Sequence, residues 1–168
     1  MLLIVHGATR PNNKSQRAVK FIEKLLKTNY SNIEYKVVTP NDFELKFDDD
    51  KSPEYYDLVQ KAQALLIISP EYNHSFPGKL KTLIDSEFKV YENKPVLIAG
   101  ASDGQFGGAR MVESLVHVLK ACGMQIQRKD ILFPRVHELL DEEGNCNDAE
   151  HEKRALDVLS IFLNKYMI

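Results

Sequence analysis

Apolar residues along the chain fall into short runs that alternate with longer stretches of helical spacing, the pattern of a strand-helix repeat. Leu2 to Val5 is an uninterrupted apolar run that predicts a first strand, and Ser15 to Leu26 carries Ala18, Phe21, Ile22, Leu25 and Leu26 at helical spacing. Ile33 to Val38 predicts a second strand. Pro40 to Ser52, which contains Asp48, Asp49 and Asp50, has no apolar period and predicts a loop, and Leu58, Val59 and Ala62 mark a short helix after it. Ala64 to Ile68 is apolar on both faces, as a parallel strand covered by helices on each side must be. Pro77 opens a further helix carrying Leu80, Leu83, Ile84 and Phe88, and Pro95 to Ala99 supplies a fourth strand. A helix from about Ala109 to Ala121 buries Val112, Leu115, Val116, Leu119 and Cys122 and stops at Gly123. Met124 to Gln127 begins a fifth strand, with Ile131 to Phe133 either continuing it or standing apart, and a last helix follows Asn147 with its stripe of Ala155, Leu156, Leu159, Phe162, Leu163 and Tyr166.

Repetition of this unit predicts an α/β fold with about five parallel strands and helices on both faces. In such a sheet, ligands bind at the carboxyl ends of the strands. Three strand exits carry suitable loops. The first is His6-Gly7-Ala8-Thr9-Arg10-Pro11-Asn12-Asn13-Lys14-Ser15, the second Ser69-Pro70-Glu71-Tyr72-Asn73, and the third Gly100-Ala101-Ser102-Asp103-Gly104 running on to Gly107, Gly108 and Arg110.

The first loop ends at a helix start, where free N–H groups and the helix dipole favour an anion. Gly7 is the sole glycine there, so the G-x-G-x-x-G dinucleotide fingerprint is absent, and Asn13-Lys14-Ser15 lacks the glycines of a Walker loop. What remains are Thr9, Asn12, Asn13 and Ser15 as donors around Arg10, a set suited to one terminal phosphate; Ser15 is equally suited to capping the helix. In the second loop a proline at the strand exit leaves a ridge of backbone groups that could read the edge of a flat heterocycle. Tyr72 would pack on that ring or cover the sheet edge, and Asn73 would bond the ligand or tie down its own loop. The glycines of the third loop, Gly104, Gly107 and Gly108, permit close approach to a ligand, and Phe106 between them has the character of a gate.

The 168 residues suffice for one domain spanning residues 1–168 with a core of its own. At 43% hydrophobic and 27% charged, the composition is that of a folded globular chain. A net charge of -2, from 22 basic and 24 acidic residues, gives no overall attraction to nucleic acid or to anionic lipid. No window approaches the roughly 20 apolar residues that span a bilayer, and the N-terminal apolar run is too short for a secretory signal, so a cytoplasmic protein is expected. Cys122 and Cys146 form no CxxC pair. His6, His74, His117, His137 and His151 form no metal-ligand motif, and Ser69 and Ser102 lack the G-x-S-x-G elbow of a hydrolase. Glu71 and Asp103 would need a defined separation for acid-base work, which spacing alone does not supply.

Taken together the three loops resemble those of the NAD(P)H-dependent FMN reductase family, whose members include quinone and azo reductases. The family opening, roughly G-S-x-R-x-x-S-x-N/S, stands here as Gly7 to Ser15; its P-E-Y-N signature is Pro70 to Asn73, followed by Pro77-Gly78 and Leu80-Lys81; its third loop is matched by Gly100 to Ser102, Gly104, Gly107, Gly108 and Arg110. Ala8 and Asn13 stand where serines are usual. The resemblance implies a flavodoxin-like three-layer sandwich with a five-stranded parallel sheet. It also implies FMN as cofactor and NADPH or NADH as co-substrate. The FMN phosphate would lie among Thr9, Arg10, Asn13 and Ser15, the ring along Pro70, Glu71, Tyr72 and Asn73, and its other edge against Ser102, Gly104, Gly107 and Gly108. No side-chain acid, nucleophile or metal is expected to be essential. The expected partner is a small electron acceptor such as a flavin or quinone, and the expected assembly a homodimer or homotetramer with Phe88, Tyr91 or Met111 exposed at the contact. A specific quinone or azo reductase, or a non-enzymatic FMN-dependent electron carrier or interaction module, are the alternatives.

Overall fold

The computed structural model describes residues 1–45 and 51–168; the run Asp48 to Asp50, read as loop, lies outside the described residues. Among the described residues six strands form one sheet: β1 (Leu2–His6), β2 (Tyr35–Val38), β3 (Ala64–Pro70), β4 (Pro95–Ala101), β5 (Gln125–Ile126) and β6 (Ile131–Phe133). The order is β2-β1-β3-β4-β5, with every pair parallel and β6 also on β4. This is the doubly wound order whose crossovers reverse direction beside β1 and leave a crevice above β1 and β3.

Alternation explains why the central strands are apolar throughout. Leu2, Ile4, Leu66, Ile68, Leu97 and Ala99 face one core, while Leu3, Val5, Leu65, Ile67, Val96 and Ile98 face the other. The first core is closed by α1 (Gln16–Asn29), whose Ala18, Phe21, Ile22, Leu25 and Leu26 turn inward, and by α6 (Ala149–Tyr166) through Ala155, Leu159, Phe162 and Leu163. The second is closed by α2 (Pro53–Lys61), α3 (Gly78–Asp85) and α4 (Ala109–Ala121). Local chemistry starts these helices where they begin. Ser52 accepts the Tyr55 N–H ahead of Pro53, and Asp148 accepts from the N–H groups of Glu150 and His151.

Several boundaries differ from those the sequence predicts. Both β3 and β4 run two residues further, to Pro70 and Ala101, and Ser69 and Gly100 belong to the ladder. The edge strand is broken: a step of three residues along β4, from Val96 to Ala99, matches a step of five along its neighbour, from Ile126 to Ile131, so residues 128–130 leave the sheet before pairing resumes. A short helix α5 (Val136–Leu139) follows β6, entered through Arg135 at φ 41°, with no sequence signal ahead of it. Phe88 lies beyond the end of α3 and is 62% exposed. Tyr91 and Met111, expected at the surface, are instead buried at 1% and 0% exposure. Tyr91 donates to the hydroxyl of Tyr55 at 3.0 Å, and this mutual hydrogen bond is what lets both phenols lie inside.

Candidate functional site

The loop after β1 is shaped from within. A Cβ at Gly7 would stand 2.6 Å from Leu80 Cδ2 and 2.8 Å from Ser69 Oγ, so any side chain here would have to displace Leu80 or Ser69 where β1 passes α3 and β3. Asn12 adopts φ 54°, and the side-chain oxygen of Asn13 then accepts the Gln16 N–H at 3.0 Å and the Ser15 hydroxyl at 2.9 Å. Asn13 Nδ2 donates to the Arg10 carbonyl at 3.0 Å. Asn13 is therefore the residue that caps α1, and Ser15, buried and hydrogen-bonded to it, holds the capping amide. These two side chains were expected to face a phosphate; here they serve each other. Their mutual bonding leaves the main chain free: the N–H groups of Thr9, Arg10, Asn12, Asn13, Lys14 and Ser15 have no acceptor among the described residues. Such a row at a helix start is an anion cradle.

After β3, Glu71 N–H donates to the Ala101 carbonyl at 3.1 Å and holds the second loop to the third. Tyr72 and Ser75 exchange backbone hydrogen bonds of 2.7 and 3.0 Å around Asn73 and His74, which adopt φ 50° and 65°. This is a tight turn with two left-handed residues, a backbone conformation that asparagine tolerates. Its side chain is exposed and off the cleft. The Arg10 guanidinium covers the Tyr72 ring at 4.2 Å. Glu71 has a side chain only 10% exposed; one carboxylate oxygen faces Arg110 at 3.4 Å and the other, Oε2, is buried with no hydrogen-bond partner among the described residues.

The third loop uses its glycines differently from the expectation. A Cβ at Gly107, at φ 60°, would stand 2.8 Å from Pro134 N and 3.0 Å from Phe133 N, and one at Gly108, at φ 85°, 2.9 Å from Ala101 N. The close approach they permit is to the protein's own β4 and β6. Gly104 is open, and its carbonyl accepts from Ser102 Oγ at 3.2 Å and from the Arg135 N–H at 3.0 Å. Phe106 is 53% exposed beneath Arg110, whose guanidinium lies 4.9 Å from its centroid. Asp103 joins two other elements to this loop, accepting from Lys14 Nζ at 2.8 Å and bonding His137 Nδ1 at 2.9 Å. Partial burial pushes the Asp103 carboxyl up, but the Lys14 and His137 hydrogen bonds outweigh it and hold the pKa below the usual carboxylate range.

A cleft of about 260 Å³ opens where the three loops meet. Of the residues singled out by sequence, Arg10, Asn13, Ser15, Pro70, Glu71, Tyr72 and Ser102 line it, whereas Thr9, Asn73, Gly104, Gly107 and Gly108 stand outside the lining. Asp103, read from the sequence only as a possible acid-base partner of Glu71, lines it too, as do Lys14 and Val136, which carry no signal legible in advance because they meet the others only through folding. Two larger clefts, of about 450 and 570 Å³, lie on the far side of the third loop around Gln105 and Pro134 and include no part of the first loop. Among the described residues, no group of three His, Cys, Asp or Glu side chains is placed to hold a metal ion. No described helix is long and apolar enough to cross a membrane.

Comparison with known proteins gives a family match. The model of NADPH-dependent FMN reductases matches residues 1–138, from β1 to α5. A quinone reductase of Pseudomonas putida is 26% identical over 161 residues, covering 86% of this chain and 83% of its own length. An NAD(P)H-dependent FMN reductase of Pseudomonas aeruginosa is 32% identical over 95 residues, covering 54% of this chain and 51% of its own. Among solved structures, the flavoenzyme NAD(P)H:(acceptor) oxidoreductase FerB of Paracoccus denitrificans superimposes with a TM-score of 0.83 at 23% identity, over 98% of this chain and 97% of the other, which shares the fold.

Proposed function

The chain belongs to the NADPH-dependent FMN reductase family, and from that premise we propose that the cleft above β1 and β3 binds FMN and serves electron transfer from NADPH or NADH to a small acceptor of the flavin or quinone type. The observation that carries this reading is the row of unpartnered N–H groups from Thr9 to Ser15 beside the Arg10 guanidinium, the complement of a dianionic phosphate. A second feature fits the rest of FMN: Glu71 Oε2 is a buried acceptor lacking a donor, in the wall of the same cleft, and a ring N–H or a sugar hydroxyl would satisfy it.

When bound, FMN supplies the two-electron chemistry between nicotinamide and acceptor. The chain's own residues bind and orient. Backbone N–H groups of the first loop hold phosphate, with Arg10 adding charge. Pro70, Glu71 and Tyr72 form one wall for a flat ring, and Ser102 stands on the facing loop. Exposed Phe106, under the Arg110 guanidinium, lines the cleft on the far side of the third loop and is given no part in holding FMN. No side chain is assigned a proton transfer. The whole chain acts as one FMN-binding domain in a homodimer or homotetramer of the cytoplasm, with the exposed Phe88 at the subunit contact.

Purified protein loaded with FMN and mixed anaerobically with NADPH or NADH tests this directly. Rapid bleaching of the visible flavin band, reversed on adding a quinone, is expected. A tightly bound flavin that neither nucleotide reduces would make the protein an electron carrier or a flavin-dependent interaction module instead.

A further inference from the structure

The strand that delivers the first loop ends in a histidine with 1% exposure, the one polar side chain of β1. A buried imidazole needs partners, and His6 Nε2 lies 2.9 Å from Ser15 Oγ. Ser15 has a single proton, and it goes to Asn13 Oδ1. That amide is fixed with its oxygen inward because the same atom also takes the Gln16 N–H. Ser15 Oγ must then accept from His6, which defines the imidazole as the Nε2–H tautomer. Burial pushes the His6 pKa down to about 4, offset only in part by a hydrogen bond with the Gln16 side chain that favours the charged ring, so the imidazole stays neutral at neutral pH. At the far end Asn13 Nδ2 donates to the Arg10 carbonyl. One directional chain thus runs from the sheet to the loop, His6 to Ser15 to Asn13 to Arg10.

We infer that His6 is a positioning residue for phosphate recognition: by donating to Ser15 it locks the Asn13 cap, and so aims the N–H row of residues 9–15 at the cleft before any ligand arrives. The inference rests on the reading of that loop as the FMN phosphate site. Without the imidazole donor, Ser15 Oγ keeps only its bond to Asn13 and is held in one rotamer less firmly, so the Asn13 cap it supports is held less firmly too. The loop N–H groups then sample directions that no longer converge, and preorganisation for the anion is lost. A merely structural histidine would support the sheet end alike for any ligand; a positioning histidine matters only for the phosphorylated one.

Apoprotein titrated with FMN and with riboflavin, read by flavin fluorescence, separates the two. Wild type is expected to prefer FMN, and His6→Leu to lose about three- to tenfold of that preference while riboflavin affinity is unchanged. His6→Gln places an amide donor near the Nε2 position and is expected to keep the preference to within about twofold. Ser15→Ala breaks the chain one bond further on without touching the strand, and carries the test should His6→Leu fail to fold; it is expected to lose preference to a similar extent. A wild-type FMN-to-riboflavin ratio in Ser15→Ala, or an equal loss for both flavins, overturns the inference. Equal affinity of wild type for the two flavins would instead overturn the phosphate reading of the loop, and the role of His6 with it.

Discussion

The guanidinium carbon of Arg10 lies 4.2 Å from the centroid of the Tyr72 ring, so the loops after β1 and β3 are joined by a cation-π contact, and Arg10 has no carboxylate partner among the described residues. Stacking of this kind at an exposed site contributes about 0.5–1 kcal/mol, enough to bias the side chain toward the cleft while leaving its N–H fork available. Replacing Arg10 by alanine should remove a charge-assisted bond to phosphate of roughly 1.5–3 kcal/mol and lower FMN affinity about tenfold to more than a hundredfold. Arg10→Lys, which keeps the charge and loses the planar stack, should fall between. Fluorescence titration decides: undiminished FMN affinity in Arg10→Ala would move the phosphate away from this side chain.

Glycine substitutions in the third loop should split by position. At Gly107 a valine meets two backbone nitrogens at 2.8 and 3.0 Å and must hold φ 60°, so neither neighbour nor backbone can yield. The expected cost is roughly 2–5 kcal/mol in urea denaturation. At Gly104 the nearest atom to an added Cβ is Ser102 Oγ at 3.9 Å, and Gly104→Ala should stay within about 0.5 kcal/mol of wild type. A Gly107→Val protein of undiminished stability would show that the loop stands off β6 in solution and that its glycines serve a ligand after all.

The contrast between those two glycines shows what the sequence discloses. Leu2 to Val5, Ala64 to Ile68 and Pro95 to Ala99 announce covered parallel strands because burial on both faces demands apolar residues at every position, a demand local enough to see. The three strand exits follow at once. What each loop residue touches is a property of the packed molecule. Asp103 meets Lys14 across 89 positions, and Gly107 avoids Pro134 only because β6 lies beside β4. Asn13 and Ser15 illustrate the same limit at short range: both are competent phosphate donors by type, yet a buried His6 at the strand end directs the serine proton inward. Composition names the donors and cannot say which are already spent.

Acid should destabilise the fold through His6. Its folded pKa of about 4 lies below the unfolded value near 6.5, so the unfolded chain binds the proton more readily between those values. The stabilisation is full above about pH 6.5 and is lost as pH falls toward 4, a change on the order of 3 kcal/mol. His151, lowered first by burial and then by Arg154, adds in the same direction. Asp130 opposes both: burial, aided by Glu113, pushes its carboxyl up to about 6, and protonation there relieves the folded state as pH drops. A bare stability curve therefore mixes these groups with lowered carboxyls such as Asp103, and the comparison that isolates His6 is wild type against His6→Gln, which keeps the donor to Ser15 but cannot titrate. Urea midpoints from pH 7 to 4 should show wild type losing about 3 kcal/mol more than the variant. Parallel curves would mean that His6 accepts its second proton in the folded protein as easily as in the unfolded chain, and that the strand end is wetter than its 1% exposure indicates.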